Sequence, residues 1–137
     1  MNKPTKTISF ILLMFLVAFG LKLNAQESKS PCGSGISAVL KGEILTITAL
    51  YKNADNNPVY YYHELTIKKS GGTNVSSNTQ TGRISVQPGI EKSLAESSIN
   101  ISAGDIVDIE LKILDNDKVI CSTKHQFIAP KTADEKP

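Results

Sequence analysis

The sequence predicts an all-β domain, a sandwich of antiparallel strands, on three observations. From Gly35 onward apolar side chains recur at every second position instead of at helical spacing. The apolar runs are short, and clusters of Gly, Asn, Asp and Pro that set turns separate them. The chain has 137 residues, which suits a single hydrophobic core.

The first 25 residues stand apart from that pattern. Lys3 and Lys6 precede an apolar run from Phe10 to Leu21, and Ala25 follows as a small residue at a cleavage point. This is the layout of a secretory signal peptide, and the run is short for a bilayer-spanning helix. Cys32 lies well beyond the apolar run, so no lipid anchor or other membrane anchor is expected. Residues 26–34 are expected as a linker, 35–128 as the domain and 129–137, ending in PKTADEKP, as a disordered tail.

Within the domain, Ile36, Ala38 and Leu40 open the alternation. After Gly42, Leu45, Ile47, Ala49 and Tyr51 share one face, and KNADNNP turns the chain. Three consecutive tyrosines then begin YYYHELTIKKSGG. Tyr61, His63, Leu65 and Ile67 take one side, and Tyr60, Tyr62, Glu64, Thr66 and Lys68 the other. SGGTNVSSNTQTG reads as a long loop or a weak edge strand, and RISVQPG as a short strand burying Ile84 and Val86. Parity changes between Leu94 and Ile99, which predicts a bulge; Glu91 to Ser98 would also tolerate a helix. Val107, Ile109, Leu111 and Ile113 alternate with polar residues, DNDK turns, and Val119, Cys121 and Thr123 return as the last strand. About seven short strands at regular spacing match an immunoglobulin-like sandwich.

Loss of the leader removes Lys3, Lys6 and Lys22, leaving 12 basic residues against 13 acidic ones in a mature chain of 112. A near-neutral surface without a concentrated basic face does not fit a nucleic-acid binder. Cys32 and Cys121 are the only cysteines. In an exported chain they are candidates for a disulfide closing a loop of about 90 residues, the alternative being two unpaired thiols.

Convergent chemistry is sparse, and no enzyme is expected. His63 is in phase with Leu65 and Ile67 and reads as a core histidine; His125 has no Cys, Asp or Glu at metal-ligand spacing. Neither a metal nor a cofactor is expected, since no nucleophile elbow, P-loop or dinucleotide fingerprint is present. Asn74-Val75-Ser76 and Asn100-Ile101-Ser102 fit the glycosylation sequon, which arises readily in a chain rich in serine and asparagine. The outward tyrosines Tyr60 and Tyr62, with Lys68, Lys69 and Arg83, the only arginine, form the candidate binding patch. Aromatic planes pack on an extended backbone while cations steer acidic groups. Solvent-facing tyrosines also serve simply as cross-strand partners.

The segments ELTIKKSG, SSNTQTGRISVQPG, INISAGDIVDIELKI and DKVICST, taken in that order and spacing, resemble the CsgH family of curli-assembly chaperones, related in fold to CsgC. The positions carrying the likeness are Glu64, Leu65, Ile67, Ser70, Gly71, Gln80, Gly82, Gly89, Gly104 and Asp105, across roughly residues 35–123. The resemblance implies a periplasmic, non-enzymatic chaperone whose partner is an unfolded or early-assembling curlin-like amyloid subunit; the chain is expected to be a monomer. CsgC proteins carry a Cys-x-Cys pair, which this chain lacks, so a redox role attached to that pair does not transfer. The rival expectation is a secreted sandwich for adhesion or for ligand or carbohydrate binding; the absence of tryptophan weighs against sugar stacking.

Overall fold

The computed structural model describes residues 24–131. Eight strands follow one another: β1 (Asn24–Lys29), β2 (Ser34–Lys41), β3 (Ile44–Lys52), β4 (Val59–Gly71), β5 (Asn74–Val86), β6 (Glu91–Asn100), β7 (Ile106–Asp115) and β8 (Lys118–Ile128). They form two antiparallel sheets, in the orders β1-β2-β3-β6 and β5-β4-β7-β8. Seven of them, β2 to β8, make the expected immunoglobulin-like sandwich. The eighth, β1, corrects the linker expected at 26–34, because Asn24 to Lys29 pair along β2 from Leu40 to Gly35. Cleavage after Ala25 would leave Gln26 to Lys29 in that ladder. The leader itself, residues 1–23, lies outside the described residues.

Alternation places the core where the sequence put it. Ile36, Ala38, Leu45, Ile47 and Ala49 from the first sheet meet Leu65, Val107, Leu111, Ile113 and Phe127 from the second, all essentially without solvent contact. Each of the Ile, Leu, Val and Phe side chains among them contributes about 1.5–3 kcal/mol on burial.

The connections follow turn chemistry. Gly42 and Gly72, each the first central residue of a two-residue hairpin, have φ of 64° and 57°, a conformation costly for residues with a Cβ. In the β7–β8 hairpin Asn116 and Asp117 both take positive φ, 48° and 67°, and Asp115 pairs with Lys118. These are the residue types that tolerate a type I′ turn.

Two bulges shift the ladders. Ala49 faces Ala95 and Leu50 faces Ser93, so Leu94 is the extra residue in β6, inside the stretch where parity changes. In β8, Ile113 faces Cys121 and Leu114 faces Val119, so Ile120 is extra. This corrects the shared face expected for Val119 and Cys121: Cys121 is in the core and Val119 is exposed. SGGTNVSSNTQTG, which reads as a long loop or a weak edge strand, is the β4–β5 hairpin, with β4 and β5 paired without interruption over thirteen residues. The tail begins later than expected, since Ala129 is buried and its N–H donates to the Asp105 carbonyl at 2.8 Å. Residues 132–137 lie outside the described residues.

Cys32, in the β1–β2 turn, is bonded to Cys121 of β8, with Cα atoms 5.8 Å apart. Around the bridge, Ser30 Oγ lies 2.7 Å from Ser34 Oγ, and Ser34 Oγ is hydrogen-bonded to Thr123 Oγ1. His125 of β8 reaches β1 at Gln26 Oε1 (3.0 Å) and Ser28 Oγ (2.5 Å). One side of the sandwich is thereby closed by a covalent bond and side-chain hydrogen bonds.

His63 is the core histidine that alternation predicts. Its ring lies against Gly82, where a Cβ would come within 2.7 Å of His63 Cε1. Nδ1 is buried without a hydrogen-bond partner, and burial lowers the pKa from its ordinary value of 6.5. Between the lowered value and 6.5 the unfolded chain binds more protons than the folded one, so stability rises with pH in that window. The contribution is complete above 6.5 and is lost as pH falls through the folded-state value. The urea midpoint is therefore expected to fall between about pH 7 and about pH 5, and His63→Leu should flatten that slope. An equal slope in the variant would assign the dependence elsewhere.

Candidate functional site

The outer face of the β5-β4-β7-β8 sheet carries four of the five predicted residues, Tyr60, Tyr62, Lys68 and Arg83, and the structure divides even these. Tyr60 and Tyr62 point outward from β4 and are 71% and 45% exposed. Tyr61, of opposite parity, is half-buried and meets Tyr51 edge to face, ring centroids 6.2 Å apart. Burial pushes both phenols above their ordinary value, so they remain neutral packing groups. The three tyrosines thus split by strand parity into one inward anchor and two displayed rings.

Arg83 joins the displayed pair. It faces Tyr62 across the β4–β5 ladder, and its guanidinium carbon lies 5.7 Å from the Tyr62 ring centroid. An exposed cation–π contact of this kind contributes about 0.5–1 kcal/mol and fixes the orientation of both groups. Lys92, on β6 of the other sheet, donates to the Ser85 carbonyl at 3.2 Å and adds a second cation. Together these residues border an open depression of about 570 Å³. On the opposite flank of Tyr62 the ladder continues to Leu114 and then Val119, so a stripe of exposed and half-exposed apolar groups crosses the sheet beside the cations.

Lys68 and Lys69 lie elsewhere. Lys68 is six residues along β4 from Tyr62, about 20 Å at strand rise, opposite Asp108 in the β4–β7 ladder. The outer face around it is charge-balanced: Glu64 faces Lys112, and Lys124 Nζ lies 3.5 Å from Glu110. Lys69 shares parity with Leu65 and Ile67 and turns towards the other sheet, its ammonium donating to the Asn100 carbonyl at 3.0 Å. The structure therefore brings together Tyr60, Tyr62 and Arg83 and places the two lysines apart. Sequence reasoning missed Lys92, whose approach depends on how the sheets stack.

The glycines and Asp105 among the positions that carried the family likeness are architectural. Gly71 sits beneath Asp105, whose carboxylate a Cβ would strike; that carboxylate accepts from the Ser102 N–H at 2.8 Å. Gly82 makes room for His63, and Gly89 and Gly104 take positive φ at turns. Among the described residues no three His, Cys, Asp or Glu side chains converge as a metal site.

No protein-family model matches the chain, and no curated protein matches its sequence. Solved structures do match its shape. The E. coli curli protein CsgC superposes with a TM-score of 0.54 at 17% identity, covering 76% of this chain and 98% of CsgC. The solution structure of R. palustris CsgH gives a TM-score of 0.51 at 14% identity, covering 72% of this chain and 90% of CsgH. Two four-stranded sheets, with a pattern of glycines each explained by a close approach or a turn, thus give this chain the fold of CsgC and CsgH.

Proposed function

We propose that the protein is a periplasmic, non-enzymatic chaperone that delays premature amyloid assembly of curlin-type subunits. The observation that carries this reading is the fold likeness to the curli protein CsgC over nearly all of CsgC's length. The physics is compatible with it. A subunit destined for a fibre crosses the periplasm with its strand edges unpaired, and nucleation is a templating event. A stable sandwich that touches such a chain briefly and lets go lowers the nucleation rate without consuming ATP. The affinity is expected to be weak, because ordering a disordered client costs entropy.

Tyr60, Tyr62 and Arg83, with Lys92 beside them, are the proposed client-contact surface. Two displayed rings held next to two cations offer flat area and positive charge in one place. Added below stoichiometry to a fibrillising curlin-type subunit, the purified domain should lengthen the lag of dye-detected growth. Tyr60→Ser/Tyr62→Ser/Arg83→Glu should shorten that lag towards the client-alone value while keeping the wild-type unfolding midpoint. An unaltered lag with the wild-type domain would sink the chaperone reading; a full delay with the triple variant would sink the surface assignment alone.

A further inference from the structure

The four sheet edges of this sandwich are treated differently, and the difference points to a partner. β1 and β8, the edges on the closed side, are tied to each other by His125. The edge of β6 carries Glu91, Lys92 and Glu96 and is bent by the Leu94 bulge, devices that discourage pairing with another chain. β5 lacks these devices over its first nine residues. From Asn74 to Gly82 it contains no charge, no proline and no bulge, and its side chains there are mostly exposed.

Which backbone groups of β5 are free follows from one hydrogen bond. Lys92 Nζ binds the Ser85 carbonyl, so that carbonyl points away from β4. Antiparallel ladders alternate between residues whose N–H and C=O both face the partner strand and residues whose groups both face away. Residues in phase with Ser85, namely Val75, Ser77, Thr79, Thr81 and Arg83, therefore direct both groups to the open edge. Lys92 closes this row at one end, and the Gly72 turn closes it at the other. Val75, at the far end, is 78% exposed. Beside the row lies an open slot of about 320 Å³ between the two sheets, lined by Ile67 and Ile99 together with Lys69 and the polar side chains of Ser76, Asn78, Ser98 and Asn100.

We propose that the free edge of β5 from Val75 to Thr81 receives an extended, uncharged segment of the client as an added strand. The inference rests on the chaperone reading for the identity of that client. The chemistry of the edge selects the segment. Hydroxyl-bearing Ser77, Thr79 and Thr81 pair across strands with serine, threonine, asparagine or glutamine. No charged side chain projects from β5 along this stretch. Of the charges on β4 beside it, Lys68 faces Asp108 and Glu64 faces Lys112 across the β4–β7 ladder, and the Lys69 ammonium is engaged with Asn100, so no net charge favours an ionic partner. Backbone pairing supplies contact that does not depend on one exact sequence. The Tyr60, Tyr62 and Arg83 surface lies at the Lys92 end of the same edge, so one bound segment can run from the aromatic patch along β5.

Proline separates this proposal from the function it refines. At Thr79 the N–H faces outward, so Thr79→Pro removes a backbone group that an added strand needs and no backbone group that β4 uses; an unchanged urea midpoint checks that the fold is kept. The exposed Thr79–Thr66 hydroxyl contact of 3.2 Å goes with it, and Thr79→Ala, which loses that contact alone, should keep both the urea midpoint and the peptide protection. The probe is a synthetic uncharged twelve-residue peptide alternating serine, asparagine or glutamine with alanine, added up to millimolar concentration. Amide exchange at Ser77, Thr79 and Thr81 should slow, by about tenfold when the peptide is at about ten times its Kd. The same peptide should give no slowing at Ser77 or Thr81 in Thr79→Pro. No slowing in the wild-type domain, or equal slowing in the variant, overturns the edge assignment. In the dye-detected assay Thr79→Pro should lose most of the delay. Full delay by the variant overturns the edge assignment and leaves the chaperone reading standing, whereas no delay by the wild type removes the client while peptide protection still decides the edge. Concentration-dependent dimerisation of the wild type that Thr79→Pro abolishes would assign the edge to a second copy of the chain and overturn the client assignment.

Discussion

Cys32→Ala/Cys121→Ala is expected to lower the unfolding free energy by about 3–5 kcal/mol, because the bridge closes a loop with a sequence separation of 89. That bond restricts the unfolded chain from near one end of the domain to near the other, which is where loop-closure entropy is greatest. In a domain of this size the loss corresponds to a melting temperature lower by roughly 10–20 °C. The cost is also local. Without the bond, the Cys32 turn is held to β8 only by the Ser34–Thr123 and β1–His125 contacts. Amides of β1 should then exchange faster than those of β3 and β7. Thermal unfolding of the wild-type domain with and without a strong reductant is the matching measurement, and reduction should reproduce the variant. A midpoint unmoved in both experiments would show that the native contacts alone hold the closed side.

The second large effect is expected at Asn53, which has no contact with solvent. Its side chain uses three bonds. Nδ2 donates to the Val86 carbonyl at 3.0 Å and the Asn57 carbonyl at 2.8 Å, and Oδ1 accepts from the Asp55 N–H at 2.8 Å. Its backbone joins in, the N–H donating to Ile90 O and the carbonyl accepting from Gly89 N–H. One residue thus ties the crossover between the sheets to the β5–β6 turn. Asn53→Ala strips all three side-chain bonds in a site closed to solvent, a loss of about 3 kcal/mol at about 1 kcal/mol for each bond. Asn53→Asp preserves the bond from Asp55 N–H but sets an oxygen against two carbonyls, and should be at least as damaging. Urea titration reads both: the midpoint falls while the slope stays constant. A shift under about 1 kcal/mol for the alanine variant would mean that water takes over these bonds.

These two residues differ in how visible they are in the sequence. A lone cysteine pair in a chain with a leader is a conspicuous sign, whereas Asn53 sits among the asparagines of KNADNNP and looks like any turn residue. Turn composition says where the chain reverses, and it does not say which side chain will be swallowed by the packing. The core was legible for the opposite reason. Period-two alternation maps directly onto faces, so Leu45, Ile47, Leu65, Ile109 and Leu111 were placed by their spacing alone. β1 escaped notice because NAQESK has no apolar alternation: it is held by backbone pairing and by His125, not by a buried row.

The candidate site was half visible. Parity separates Tyr60 and Tyr62 from Tyr61, and the same rule separates Lys68 from Lys69, which shares the face of Leu65 and Ile67. Grouping the two lysines by proximity in sequence overlooked that rule. The contact of Arg83 with Tyr62 needed the hairpin register, and Lys92 needed the stacking of two sheets. The β8 bulge is similarly hidden: one extra residue, Ile120, sends Val119 to the surface although its spacing from Cys121 predicts the interior.

The sulfur link between the first turn and the last strand also has a mechanical side. Tension applied between residues 24 and 131 runs through Cys32 and Cys121 and bypasses the chain between them, cysteines with a sequence separation of 89. Only the short lengths of chain outside the link can be drawn taut. A domain tugged at both ends while a companion chain is threaded or extruded would therefore stretch by little more than the peeling of β1 and the end of β8, with β2 to β7 slack and intact between the two cysteines.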